Sequence, residues 1–263
     1  MNALSTSTRA ARTAERTPTS TRAPTSTWAA VGLAVGAAAL GTANLDASSP
    51  DLRLALAAAV ALLGMPHGAL DFSLARLVGA RTDLRRAGGF LIAYMALAAL
   101  VLAAWWLAPL PTLLAFLSLS IVHFGLADVP SRGSPRASEV ALRGAIPIFV
   151  PVAAHPAVTG ELFALLAGTS TEGTVASLER LGPWLVATLV ALAVLVVLRE
   201  LRSPTPTLSR ALVEPAALGA IFVLTPPLIA FTLYFCGWHS ARHVLAARRW
   251  LTASDYRIGR PGK

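Results

Sequence analysis

The residues with chemistry to offer in this 263-residue chain are its histidines. His67 sits in Gly64-Met65-Pro66-His67-Gly68-Ala69-Leu70-Asp71, and His123 in Ile121-Val122-His123-Phe124-Gly125. His239 and His243 share Trp238-His239-Ser240-Ala241-Arg242-His243. All lie within or at the end of apolar runs, where polar groups are expensive and mark function. His239 and His243 are four apart, so on a helix they share one face and can grip one ion. Four imidazoles from three distant segments are therefore read as converging on one metal inside a membrane bundle. Neutral imidazoles suit Fe, Zn, Cu or Ni. With no carboxylate among these donors, the set differs from the two-His, one-carboxylate site of many oxygenases.

Three further residues are candidates to support the donors. Asp71 follows His67 by four positions and can accept the other ring N–H of a metal-bound His67. Tyr234 precedes the His239–His243 pair, and His155 lies in a later apolar run. Each has a plainer reading. Asp71 can face the cytoplasm from a helix end, Tyr234 can pack, and His155 stands beside Pro156 in a helix-bending segment. Any one of the histidines taken singly is more often a structural, partly buried residue. The joint pattern, four of five histidines at matching depth, changes that balance.

The elements that hold such a site must be membrane helices. Hydrophobic residues make up 55% of the chain and charged residues 13%, against about 25% charged in a soluble domain. From Ala87 to Ala127 there is no Asp, Glu, Lys or Arg. Apolar stretches of roughly 18 or more residues recur, and they are continuous rather than alternating, which disfavours a β-barrel. The fold class expected is all-α: a polytopic transmembrane bundle of about seven to eight segments. The formal charge of +9 does not call for nucleic acid, because the arginines fall between apolar runs. The single lysine, Lys263, is terminal, which excludes a buried Schiff-base amine, and the single Cys236 excludes an intrachain disulfide.

Residues 1–26 read as a disordered basic tail, 27–250 as the catalytic bundle and 251–263 as a second basic tail. Helices are expected over Trp28–Asn44, Leu52–Leu70, Gly89–Ala108, Thr112–Ala127, Ile146–Leu166 and Trp184–Leu198. A last apolar region, Leu212–Trp250, breaks at Thr225-Pro226-Pro227 into an inbound piece and an outbound helix from Leu228. Arginines cluster in alternate connections, with Arg76, Arg81, Arg85 and Arg86 in one and Arg132, Arg136 and Arg143 in another. That alternation sets the N-terminus and the histidines toward the cytoplasmic side of the cell membrane. Arg242 is expected to snorkel to the headgroups.

These stretches, together with Ile121 to Asp128, Ala154-His155-Pro156, Pro226-Pro227 and Tyr234 to His243, resemble the bacteriorhodopsin-related-protein/Blh family of membrane-bound β-carotene 15,15′-dioxygenases. The resemblance runs from about Leu52 onward in the family's order. It implies an Fe(2+) enzyme that cleaves all-trans-β-carotene with O2 into two molecules of all-trans-retinal. It also implies His67, His123, His239 and His243 as the iron ligands, and β-carotene, O2 and the lipid bilayer as partners. Family members usually continue for one or two apolar segments after the last histidine pair, whereas this sequence stops at Lys263.

Two other classes stay open on the residues alone. A b-type haem electron carrier also uses membrane histidines, but pairs them in two layers. A metal transporter needs acidic residues along a path, and the helix interiors almost lack them.

Overall fold

The computed structural model describes residues 25–42, 49–62, 84–129, 137–203 and 209–245. Among them every regular element is helical, as expected for an all-α bundle. The helices are α1 (Thr25–Thr42), α2 (residues 50–62), α3 (Leu84–Leu107), α4 (Pro109–Asp128) and α5 (Ala137–Ala154). They continue as α6 (Pro156–Ala167), α7 (Thr171–Leu201), α8 (Glu214–Leu224) and α9 (Pro227–Thr232). A π-helical turn, Ser209–Val213, leads into α8, and α9 runs on as a longer π-helix, Leu233–Ser240.

Among the described residues α4, α5 and α7 are long and apolar enough to cross a membrane. Shorter apolar helices include Leu91–Leu107 and Ala211–Leu224. Large apolar side chains such as Ile92, Leu102, Leu119 and Leu165 are exposed along these helices. That is the reverse of a soluble surface and fits contact with lipid.

α5 is the central helix. Its residues from Leu142 to Ile148 are buried on every side, as expected of a helix surrounded by others. It packs against α4, α6, α7 and α8. The α4–α5 crossing depends on two glycines. A Cβ on Gly125 would strike the carbonyl of Val140, and one on Gly144 the carbonyl of Ile121. Small residues let helix backbones approach closely without a hydrophobic driving force. α1 uses the same device, turning Thr27, Ala30 and Ala37 inward and packing against α8.

Proline places the breaks. Ala108 and His155 each precede a proline and leave the helical region, at φ −147° and −136°. The residue before proline is pushed out of the α conformation by the ring. The single bent helix expected over Ile146–Leu166 is therefore two helices that meet at His155. The sixth helix starts at Thr171 rather than Trp184. Glu172, Glu179 and Arg180 lie on exposed turns of a helix that outruns its apolar centre. The break at Pro226-Pro227 is present, with Thr225 extended at φ −132°, ψ 152°.

Polar residues gather at one end of the bundle. Glu214, at the start of α8, accepts a bond from Thr27 of α1 at 3.2 Å and one from Arg143 of α5 at 3.2 Å. Both side chains of the Arg143–Glu214 pair are fully buried. Arg143 also bonds Glu139 one turn away at 3.3 Å. Arg143 was grouped with the loop arginines from sequence; it is instead an interior ion-pair partner. Nearby, Arg199 of α7 donates to Ser138 of α5 at 2.9 Å. At this same end α4 finishes at Asp128, beside the later turns that follow α9.

Candidate metal centre

The site is built where the end of α4 meets the π-helix that continues α9. A π-helix bonds i to i+5. That winding brings residues five apart onto one side, so Tyr234 and His239 both reach Asp128. Tyr234 donates its hydroxyl to Asp128 Oδ2 at 2.8 Å, and His239 Nδ1 lies 3.4 Å from Asp128 Oδ1. All three side chains are buried. π-turns within α-helices concentrate at functional sites.

His123, one residue before the buried Phe124, places its ring centroid 5.4 Å from that of His239. Phe124 stands edge-on to His239 at 4.8 Å and fixes its other flank. The two histidines come from α4 and the π-helix, 116 positions apart in sequence, so only the fold brings them together. Nε2 of His239 and Nε2 of His243 are both screened from solvent. His67 and Asp71 lie outside the described residues.

Arg242 does not reach out to headgroups as expected. Its guanidinium lies 4.7 Å over the ring of Trp238 and donates to the backbone carbonyl of Asp128 at 3.5 Å. It also stands 3.9 Å from Glu214. The polar end of the bundle is thus continuous with the histidine cluster, through Arg242 and Asp128.

His155 sits apart from this cluster in its hydrogen bonding. Its Nε2 meets the carbonyl of Phe222 at 3.0 Å. The α-helical donor to that carbonyl would be residue 226, a proline without an N–H. The imidazole takes the place of the missing donor at the α8–α9 break.

Asp128 escaped the sequence reading as a supporting carboxylate. The signal was there: His123 is followed five residues on by Asp128, much as His67 is followed by Asp71. Without the π-winding, however, nothing in the sequence aimed Asp128 at His239 rather than at its own helix.

Among the described residues no three His, Cys, Asp or Glu side chains converge closely enough to hold a metal by themselves. The donors present still fit one. Two imidazoles lie side by side, and a carboxylate engages Nδ1 of His239, so a metal would be taken at its buried Nε2. A carboxylate or carbonyl on the far ring nitrogen is the usual support of a metal-bound histidine.

Comparison with known proteins follows the same line. The family model described as beta-carotene 15,15'-dioxygenase matches residues 58–260. The chain is 32% identical over 244 residues to a probable beta-carotene 15,15'-dioxygenase Blh of Halobacterium salinarum, covering 84% of this chain and 71% of the relative. It is 31% identical over 198 residues to a beta-carotene 15,15'-dioxygenase of an uncultured marine bacterium, 66A03, covering 71% and 66%. No solved structure matches significantly. The matched region contains α4 and the π-helix Leu233–Ser240, which meet at Asp128, and by this match the chain belongs to the beta-carotene 15,15'-dioxygenase family.

Proposed function

We propose that this protein cleaves all-trans-β-carotene at its central 15,15′ double bond with O2, giving two molecules of all-trans-retinal, at a four-histidine iron(II) centre within the membrane. The names of the two relatives support the reaction. Within the chain, the observation that carries the reading is the His123–His239 pair backed by Asp128. His67 and His243 complete the donor set on the evidence of sequence.

The atom balance explains what the polar groups are for. The central C=C and the O–O bond break, and two C=O bonds form. The two carbons are oxidised and O2 is reduced, with no proton or leaving group released. Bound iron(II) supplies the activation of O2 that this spin-forbidden oxidation needs. No side chain has to act as a general acid or base. Asp128, Tyr234 and Arg242 therefore serve by holding: Asp128 aims His239, Tyr234 holds Asp128, and Arg242 ties the end of α4 to the π-helix.

The substrate is a hydrocarbon that dissolves in the bilayer, so it reaches the histidines sideways between helices. Regiospecificity then follows from where the rod-shaped substrate is stopped relative to the metal. The three long apolar helices support membrane insertion. Read by the positive-inside rule, the arginine alternation supports an orientation with the N-terminus and the metal site toward the cytoplasm.

The test is coexpression with a β-carotene pathway, with His67→Ala, His123→Ala, His239→Ala and His243→Ala run in parallel. Bleaching and retinal are expected from the parent, and neither from the four variants. Intact pigment beside well-folded parent protein would remove the proposal. A Soret band in the purified protein would decide for a haem carrier instead.

A further inference from the structure

His239 and His243 do not stand on one regular helix. His239 lies in the π-wound stretch Leu233–Ser240, and His243 lies in the α-turn that follows it. The change of winding falls between the two donors, so regular helix geometry alone does not set their relative rotation. A rotation of about 10° swings a ring nitrogen, roughly 6 Å from the helix axis, by about 1 Å. Metal–ligand distances tolerate only about 0.2 Å. A contact from outside this helix is needed to hold the join.

Arg242 stands at that join and reaches two other elements. Its guanidinium lies 4.7 Å over the Trp238 ring, donates to the Asp128 carbonyl at the end of α4 at 3.5 Å, and faces Glu214 of α8 at 3.9 Å. Its Nη1 is buried and makes no hydrogen bond among the described residues, so Glu214 holds it by charge. Glu214 is 0% exposed, where such an attraction is only weakly damped. Glu214 is itself fixed from two sides. Its Oε1 accepts from Thr27 of α1 and its Oε2 from Arg143 of α5, each at 3.2 Å. The carboxylate is thus anchored by two helices and presented to a third.

We propose that Glu214 is a positioning residue for the metal centre: through Arg242 it fixes the turn that joins His239 to His243, and so lets the two imidazoles meet one ion. This role rests on the four-histidine reading and adds its remote anchor. Arg143 stands outside the relay. Glu139 pairs it one turn away at 3.3 Å, so Arg143 keeps a counter-charge when Glu214 loses its own.

The test titrates the full-length, metal-free protein in lipid nanodiscs with Co(II), whose visible band reports donor geometry. Glu214→Gln keeps the shape and an acceptor for Thr27 while removing the charge. It is expected to weaken Co(II) binding about tenfold and to shift the visible band. Arg242→Met keeps the apolar stem and should weaken binding at least as much. Added to Arg242→Met, Glu214→Gln should cost no further affinity, because the two act through one contact. Glu139→Gln loosens Arg143 alone; it should lower the unfolding temperature and keep the parental Co(II) affinity and band.

Parental Co(II) affinity in Glu214→Gln would overturn the proposal. So would an equal loss in Glu139→Gln, which marks general loosening, or an undiminished cost of Glu214→Gln on top of Arg242→Met. Glu214→Asp serves if Glu214→Gln does not fold, since it keeps the charge and withdraws it by one methylene. It should weaken Co(II) in the parent and not in Arg242→Met; parental affinity in both would overturn the proposal too.

No carotenoid enters these measurements. A parent that binds Co(II) with the expected coupling yet makes no retinal would sink the cleavage reading and leave the anchor standing. A parent that binds Co(II) without the coupling would sink the anchor alone. A parent that takes up no Co(II) would sink the metal centre and the anchor together.

Discussion

Asp128 and His239 meet at 3.4 Å at the point where α4 ends and the π-helix winds past it. Tyr234 holds the other carboxylate oxygen at 2.8 Å. The carboxylate is thus fixed from one side and fixes a ring on the other. Asp128→Ala is expected to weaken iron binding by roughly 10–100-fold, the usual cost of losing such a support. Asp128→Asn should fall between, since its carbonyl can still accept from Nδ1. Tyr234→Phe should cost less than either. Iron per polypeptide and Co(II) titration of the purified variants measure the order.

Glu214 tests the buried ion network. It binds Thr27 and Arg143 with no access to solvent. Glu214→Ala leaves the Arg143 guanidinium in a low-dielectric interior without this counter-charge. A loss of about 3–5 kcal/mol is expected, read as a lower unfolding temperature in detergent. The double variant with Arg143→Ala should be less destabilised than the sum of the singles, because the two side chains act as one unit.

His155 and His123 should separate cleanly. His155→Ala leaves the Phe222 carbonyl without its side-chain donor at a proline break. About 1–3 kcal/mol of stability should go while iron content is kept. His123→Ala should lose iron and retinal formation with little change in the unfolding temperature. Loss of iron in His155→Ala at unchanged stability would place that residue at the metal instead.

The glycine crossing of α4 and α5 should be intolerant. Gly125→Ala and Gly144→Ala each force a methyl into a facing backbone carbonyl. Backbone cannot yield as a side-chain tip can, so at least about 1–3 kcal/mol is expected to be lost. Gly125 lies two residues from His123, so its alanine variant should also bind iron more weakly than Gly144→Ala does. Parallel unfolding curves and iron assays measure both effects.

Much of the fold was legible in the chain because bilayer physics writes itself into composition. Uncharged apolar runs give helices, and Pro226-Pro227 gives a break; Pro156 read as a bend within one helix, whereas it divides α5 from α6. The histidines stood out for the same reason, as costly groups in apolar segments. Arg143 and Arg242 were misread because an arginine at a helix end looks the same in sequence whether it faces headgroups or a buried carboxylate. His155 stood among the supporting candidates and also read as structural, and the carbonyl it meets across the α8–α9 break is visible only in the fold.

Sequence by itself determined the helical membrane character, the break at Pro226-Pro227 and the family, because each is encoded in local residue type and spacing. Tertiary structure alone decided that Asp128 meets His239, that Arg143 and Arg242 turn inward to Glu214, and that His123 comes beside His239. Those relationships depend on how one helix is rotated against another. Here that rotation is set by the Gly125–Gly144 crossing and by a π-winding that joins Tyr234 to His239. A local pattern of apolar residues does not specify either one, because every face of these helices is apolar.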